Sequence, residues 1–240
     1  MRVNSDLYVL PLPRQRDGQS FPLNLSLIVD AEAGPTLVDT GLPGQLGAIE
    51  AALAEAGLAV GDLRRIIITH QDIDHIGSLH DLVAASGAQV LACAVEAPTI
   101  DGRELPRFAR PEVLAARPEL RPVAATFHPT SIDRQLEDGD RLDLAGGVRA
   151  VFTPGHTPGH LSLYLERSKT LIAGDALSAT DGRLEGPNAA ASMDMALATE
   201  SVRRLAELDV ATIVCYHGGL VTDDATGQLR RVAQELAAGN

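Results

Sequence analysis

Cysteine is scarce in this sequence, with two residues among 240 and no C-x-x-C pair. Cys93 and Cys215 both lie inside apolar runs typical of strands, so we expect buried, free thiols in a reducing cytoplasm. Long apolar segments are also missing, since no run approaches the roughly 18 residues that span a bilayer. The first residues lack the apolar segment and small-residue cleavage site of a secretory signal. These absences predict a cytoplasmic protein without a membrane segment.

Basic residues are outnumbered by acidic ones, 20 against 32, which gives a formal net charge of −12. A nucleic-acid partner needs a basic footprint for its phosphates, so we expect none. The sequence also lacks a G-x-S-x-G motif, so nothing indicates a serine nucleophile. With 45% hydrophobic residues, residues 1–240 can bury a sizeable core as a single domain. We expect a small-molecule substrate.

Several apolar runs end abruptly in histidine or aspartate. Residues 66–68 lead into His70, Asp72, Asp74 and His75. Three later runs end in the same way, shortly before His156, Asp175 and His217. Imidazole nitrogen and carboxylate oxygen are ligands of borderline divalent metals, and residues just past strand ends can converge at one rim of a sheet. The pattern predicts a metal site at the ends of several strands.

The chain resembles the metallo-β-lactamase-fold hydrolases in the order and spacing of five motifs, from about residue 7 to the C-terminus. These motifs are Asp39-Thr40-Gly41, the segment from His70 to Gly77, the segment from Pro154 to His160, Gly174-Asp175 and His217. The resemblance implies an α/β fold: a four-layer αββα sandwich of two mixed β-sheets flanked by helices.

Apolar periodicity predicts the individual elements of this fold. Strands are expected at residues 7–12, 23–29, 36–38 and 90–95, and helices at 44–56, 195–208 and 229–236. For the helix at 195–208, Asp194 is the expected N-cap, and Leu197, Val202 and Leu205 are expected to face inward.

By position, the resemblance implies two divalent metal ions as cofactors, with zinc expected first and manganese or iron as alternatives. The implied ligands of the first ion are His70, Asp72, His156 and Asp175, and those of the second are Asp74, His75, His217 and the shared Asp175. Asp39 is implied to accept a hydrogen bond from a metal-binding imidazole, and His160 to brace the site.

Asp72 departs from the family motif, which has histidine at this position. With Asp72 as a ligand, three aspartates and one hydroxide balance two divalent ions, so the metal core is neutral, and its bound water is harder to deprotonate. An oxygen ligand also favours manganese or iron, and flavo-diiron proteins of this fold carry glutamate there. Three interpretations stay open: Asp72 ligates zinc, it belongs to an iron site, or it does not reach the metal.

Residues 98–135 are predicted to form an insertion, or lid, over the metal cleft. Its first part, residues 98–122, carries five prolines and five arginines against four acidic residues. These arginines either recognise a carboxylate or phosphate of the substrate or pair with neighbouring acids. Phe108 and Phe127 are either lid aromatics or packing residues, and His80 and His128 are expected to be exposed. A core-packed position is favoured for Tyr216.

The resemblance implies hydrolysis of a small ester, thioester or lactone by a metal-bridging hydroxide. Asp74 and Asp175 are the implied catalytic residues, with Asp74 passing a proton to the leaving group. Two alternatives stay open. Asp72 suggests an iron-dependent oxidoreductase, although the sequence contains no electron-donating module. The other alternative is a metal-binding protein without turnover.

Overall fold

The computed structural model describes residues 1–16 and 19–239. Its strands, in chain order, are β1 (Leu7–Leu12), β2 (Gln15–Arg16), β3 (Gln19–Ser20), β4 (Leu23–Ile28), β5 (Thr36–Val38), β6 (Arg65–Ile68), β7 (Gln89–Cys93), β8 (Arg134–Leu136), β9 (Arg141–Leu142), β10 (Val148–Phe152), β11 (Leu161–Leu165), β12 (Thr170–Gly174), β13 (Ser178–Thr180), β14 (Arg183–Glu185), β15 (Thr212–Cys215) and β16 (Gly219–Val221). Its helices are α1 (Leu46–Glu55), α2 (Ile73–Ile76), α3 (Leu79–Ser86), α4 (Ala97–Ile100), α5 (Pro111–Ala116), α6 (Arg121–Ala124), α7 (Met195–Leu205) and α8 (Ala225–Ala238).

Two six-stranded mixed sheets form the centre of the molecule. The first has the order β1-β4-β5-β6-β7-β8, and β5 to β8 are parallel to one another. The second has the order β16-β15-β12-β11-β10-β9. In it, β12 and β15 are parallel, and β10 and β12 share a direction because both are antiparallel to β11. In the first sheet, the carboxyl ends of β6 and β7 therefore lie at the same edge. In the second sheet, the carboxyl ends of β10, β12 and β15 lie at the same edge.

Alternating side chains on the strands divide the core into layers. In β6, Ile67 packs between the two sheets, whereas Ile66 and Ile68 pack on the other face against α1 and α3. In β11, Leu163 faces the first sheet, and Tyr164 belongs to the cluster formed with α7 and α8. This period of two is what a strand with both faces buried requires. The expected four-layer αββα sandwich is confirmed.

The predicted strands and helices are present, with shifted ends and one wrong orientation. Asp194 caps α7, since its carboxylate accepts a hydrogen bond from the Leu197 N–H at 3.0 Å. Val202 and Leu205 are buried as expected, but the inward orientation predicted for Leu197 is wrong because its side chain is 47% exposed. Leu197 lies in the first turn of α7, beside its cap, where apolar periodicity does not by itself mark the buried face.

The last helix begins earlier than residue 229, because Asp224 caps α8 by accepting a hydrogen bond from the Gly227 N–H. Cys93 and Cys215 are buried free thiols, and His80 and His128 are exposed, as expected. Phe108 packs edge-to-face on Phe127, with ring centroids 5.8 Å apart. In the described part of the chain, no helix is both long and apolar enough to cross a membrane.

Candidate metal centre

The residues predicted to bind metal follow the carboxyl ends of four strands and lie together in one cleft. His70 and Asp72 follow β6, and Asp74 and His75 lie on the short helix α2 directly after them. The second sheet contributes the other three, His156 after β10, Asp175 after β12 and His217 after β15. Two sheets thus supply one cluster, which explains why the motifs are far apart in the sequence.

The first group consists of His70, His156 and Asp175, each of which offers one ligand atom within 4.8 Å of the others. Asp72 lies beside this group, with its Oδ2 3.2 Å from Nε2 of His156 and 3.6 Å from Nε2 of His70. The two histidines are buried. The Asp72 carboxylate therefore faces the same point as both imidazoles.

The second group consists of Asp74, His75 and His217, with ligand atoms that also lie within 4.8 Å of one another. Asp175 belongs to the first group and also faces two histidines of the second. Its Oδ1 is 3.3 Å from Nε2 of His75, and its Oδ2 is 3.3 Å from Nε2 of His217 and 3.5 Å from Nε2 of His156. The two His/Asp groups are consistent with a dinuclear metal site that shares Asp175.

Buried polar atoms without hydrogen-bond partners support a metal site at these two groups. Among the described residues, Nε2 of His70, Nε2 of His75 and Oδ1 of Asp175 are buried and form no hydrogen bond. Leaving such atoms unpaired costs roughly 1–3 kcal/mol each, so a divalent cation at this point would stabilise them. Mixed nitrogen and oxygen donors suit zinc, manganese or iron.

Arg107, from the 98–135 segment, holds the Asp72 carboxylate. Its Nε donates to Oδ1 at 2.7 Å and its Nη2 to Oδ2 at 2.5 Å, so the contact is a two-pronged fork. Nη1 of Arg107 donates to the Ala191 carbonyl at 2.8 Å, and the Arg107 N–H donates to Oε1 of Gln71 at 3.0 Å. Arg103 and Arg117 instead pair with neighbouring acids, Asp101 and Glu119. Of these three arginines, only Arg107 reaches the cleft.

Asp39 contacts His75 at Nδ1, the ring nitrogen that does not face Asp175. Its Oδ2 is 2.9 Å from Nδ1 of His75, and its carboxylate also accepts hydrogen bonds from the N–H and hydroxyl of Thr69. Asp39 adopts φ +65°, a left-handed conformation that aspartate tolerates better than most residues. The Nδ1 contact leaves Nε2 of His75 directed at the metal groups.

His160 contacts the backbone of the site. Its Nε2 accepts a hydrogen bond from the Asp175 N–H at 2.9 Å, and its Nδ1 lies 2.8 Å from the Thr153 hydroxyl. Gly174 has φ +55°, and a Cβ at this position would lie 2.7 Å from Nε2 of His160. Glycine is therefore needed before Asp175 so that the imidazole can approach the backbone.

The charges of the cleft residues depend on their neighbours. Burial lowers the pKa of His75, but the carboxylates of Asp39 and Asp175 outweigh it and raise this pKa well above its usual value. Burial raises the pKa of Asp175, but His75 and His217 hold it well below its usual value. Burial, aided by the nearby His75, lowers the pKa of His70. A metal ion at Nε2 of His75 would compete with a proton for this nitrogen.

Two contacts to the cleft were not predicted from the sequence. Glu96 is fully buried and accepts hydrogen bonds from two loops that carry predicted metal ligands. Like those residues, it follows an apolar strand, β7, so the same signal could have identified it. Tyr216 is core-packed as expected, and its hydroxyl also donates to the carbonyl oxygen of Asp74.

Similarity to known proteins agrees with this site. A probable metallo-hydrolase, YflN of Bacillus subtilis (strain 168), is 30% identical over 200 residues, 76% of this chain and 74% of the relative. A hydroxyacylglutathione hydrolase of Rhodospirillum rubrum is 29% identical over 189 residues, 75% of this chain but only 60% of that enzyme. An N-acyl homoserine lactonase of a Bacillus species is 29% identical over 200 residues, 75% of this chain and 74% of the lactonase.

A family profile and a solved structure also match this chain, and both indicate one family. The profile of the Metallo-beta-lactamase superfamily matches residues 21–217. The crystal structure of a metallo-beta-lactamase family protein from Thermus thermophilus superimposes with a TM-score of 0.75 at 30% sequence identity. That match covers 98% of this chain and 79% of the other. Since the profile extends over most of the chain and the structural match over nearly all of it, the chain belongs to the metallo-beta-lactamase superfamily.

Proposed function

We propose that this protein is a dinuclear metal-dependent hydrolase of a small ester, thioester or lactone. The observation that carries the proposal is the position of Asp175, whose carboxylate faces His75 and His217 of one group and His156 of the other. His70, His156, Asp74, His75, His217 and the shared Asp175 would hold two divalent ions, which would supply Lewis acidity for the hydrolysis of an acyl bond.

Asp74 is the residue proposed to move a proton to the leaving group. Its carboxylate is 18% exposed and lies 3.5 Å from Nε2 of His217, which is 34% exposed. On the first-group side, the His156 side chain is only 3% exposed. The cleft therefore opens to solvent beside Asp74 and His217, where a leaving group can depart. Tyr216 fixes the backbone of Asp74, and Arg14 lies 3.6 Å from its carboxylate.

In this proposal residues 98–135 act as a lid on the first-group side of the cleft. The support is the double contact of Arg107, which joins Asp72 to the carbonyl of Ala191. A guanidinium whose fork is already taken by Asp72 is better suited to holding the cleft wall than to binding a substrate carboxylate. The lid therefore shapes the cleft, and its arginine keeps Asp72 oriented.

An acyl substrate is favoured over a phosphodiester. The net charge of −12 repels polyanions, and the hydroxyacylglutathione hydrolase and N-acyl homoserine lactonase relatives are both named for acyl compounds. With Asp72 as a ligand, a neutral metal core would give moderate Lewis acidity, which would suit labile acyl bonds. Nucleic acid and membranes are not proposed as partners.

We expect hydrolysis of aryl esters, lactones or thioesters when metal-stripped protein is reloaded with zinc, manganese or iron, and little hydrolysis of a bis-aryl phosphate. The measurement is initial rates on this panel, with chelator-treated protein as the blank. The Asp209→Asn variant is a matched control, because Asp209 is 72% exposed and pairs with Lys169 away from the cleft.

Three results would overturn the assignment. Turnover of the phosphodiester alone would exclude an acyl hydrolase. Oxygen consumption with iron, in the absence of any hydrolysis, would favour the oxidoreductase alternative. If the loaded protein turned over no substrate of either kind, a binding role would be the better description.

A further inference from the structure

Glu96 is a buried acid that the proposed chemistry does not use. It lies three residues after β7, its side chain is 0% exposed, and the preceding Val95 is 54% exposed. Its Oε2 accepts a hydrogen bond from the Gln71 N–H at 3.0 Å. Its Oε1 accepts one from the Gly159 N–H at 2.7 Å. Each carboxylate oxygen therefore holds a different loop.

The two loops carry metal-binding residues from opposite sheets. Gln71 lies between His70 and Asp72, on the loop after β6 of the first sheet. Gly159 lies between His156 and His160, on the loop after β10 of the second sheet. A single side chain thus spans the junction between the sheets at the point where the first metal group is assembled. One backbone bond, from the Leu161 N–H to the Thr69 carbonyl at 3.1 Å, joins the same segments.

The surroundings of Glu96 are adapted to this double contact. A Cβ on Gly159 would lie 2.8 Å from Cβ of Val95 and 2.9 Å from Cγ of Glu96, so glycine lets this loop approach the segment that carries Glu96. Among the described residues, no lysine or arginine nitrogen lies within 4.0 Å of its carboxylate. Burying a carboxylate with two amide donors and no cationic partner costs free energy. An apolar residue at this position would leave the N–H groups of Gln71 and Gly159 without acceptors, so the carboxylate is matched to the two loops that it holds.

We propose that Glu96 is a positioning residue that sets the distance between the His70 and His156 loops and so tunes the first metal group. The inference rests on the proposed dinuclear centre. Residues that orient metal ligands through hydrogen bonds typically contribute about 10–100-fold to metal affinity. Glu96 would act through backbone amides, so it moves whole loops rather than one imidazole.

The test compares zinc affinity and stoichiometry, measured by competition with a chromophoric chelator, in full-length Glu96→Ala and Glu96→Gln proteins. Glutamine keeps one acceptor oxygen but turns an amide group toward the other N–H, so one of the two contacts is lost. We expect the affinity of one of the two ions, the one assigned to the first group, to fall about 10-fold in Glu96→Gln and about 100-fold in Glu96→Ala, while the other ion binds as in the wild type.

Two controls separate positioning from general destabilisation. Thr99→Val removes the hydrogen bond from the Thr99 hydroxyl to the backbone carbonyl of Glu96 but keeps both loop contacts. Asp6→Asn weakens a buried carboxylate paired with Arg167 away from the cleft. Both controls should lose stability in urea while binding zinc as the wild type does.

The outcomes are distinct. Wild-type zinc affinity in both Glu96 variants, or an equal loss of affinity in Thr99→Val, would overturn the positioning role even if the wild type binds two ions. If the wild type itself binds no zinc, the proposed dinuclear centre fails first. Should Glu96→Ala not fold, Glu96→Gln, which preserves side-chain volume, decides the question.

Discussion

Replacing Asp175 with alanine is expected to remove both metal ions and to lower kcat/KM for the best acyl substrate by about a thousandfold or more. Asp175 faces both metal groups, at 3.3 Å from His75 and from His217 and 3.5 Å from His156. Lewis-acid stabilisation is worth several kcal/mol, and each 1.4 kcal/mol corresponds to about tenfold in rate. No other predicted metal-binding residue is shared between the groups, so no other single replacement should have this double effect.

Metal content by elemental analysis, together with steady-state kinetics, measures this effect. The Asp175→Asn variant preserves side-chain shape and should also lose metal, because the amide is neutral and a poorer ligand. Asp209→Asn serves as the control and should retain wild-type content. An Asp175→Ala protein that keeps two ions would show that Asp175 does not bridge.

Replacing Asp72 is expected to act on one ion only. In Asp72→Ala the first ion should be lost while the second stays, so metal content falls from two ions per chain to one. In Asp72→His both ions should stay, and the pH dependence of kcat should shift toward lower pH. The shift follows because the metal core regains a positive charge, which makes the bound water more acidic. Unchanged metal content and pH profile in both variants would mean that Asp72 lies near the metal without binding it.

A replacement of Arg107 tests whether this residue acts through Asp72. Replacing Arg107 with methionine removes the fork that holds both oxygens of Asp72 but keeps a side chain of similar length. The Arg107→Met replacement should lower zinc affinity clearly in the wild-type background. In the Asp72→His background it should have almost no effect on zinc affinity. A double-mutant cycle over these two positions isolates that coupling. Equal effects in both backgrounds would assign Arg107 a role independent of Asp72.

The predicted metal ligands could be read from the sequence because each lies shortly after the end of an apolar strand. Strands that end at the same edge of a sheet place the residues after them together, so Asp175 and His217 of the second sheet lie 3.3 Å apart. Packing of the two sheets then brings His70 of the first sheet beside Asp175. The family resemblance added the pairing of these residues into two groups. The layered fold followed from the same strands, whose buried faces require helices on both sides.

The contacts of Arg107 and Glu96 could not be predicted from the positions of apolar strands. Arg107 reaches Asp72 across 35 residues, and Glu96 reaches Gln71 and Gly159 across 25 and 63 residues. The five arginines in residues 98–122 cannot be distinguished in sequence, and only the path of the backbone through this segment separates Arg107 from Arg103. Side-chain reach depends on how short helices and turns pack, and local periodicity carries no information about that packing.

The most direct test of the dinuclear centre is a crystal structure of the zinc-loaded protein, with anomalous scattering measured at the zinc edge. We predict two anomalous peaks per chain, one beside His70 and His156, the other beside His75 and His217, with a carboxylate oxygen of Asp175 about 2.0–2.2 Å from each. A single peak, or two peaks of which only one contacts Asp175, would contradict the dinuclear centre.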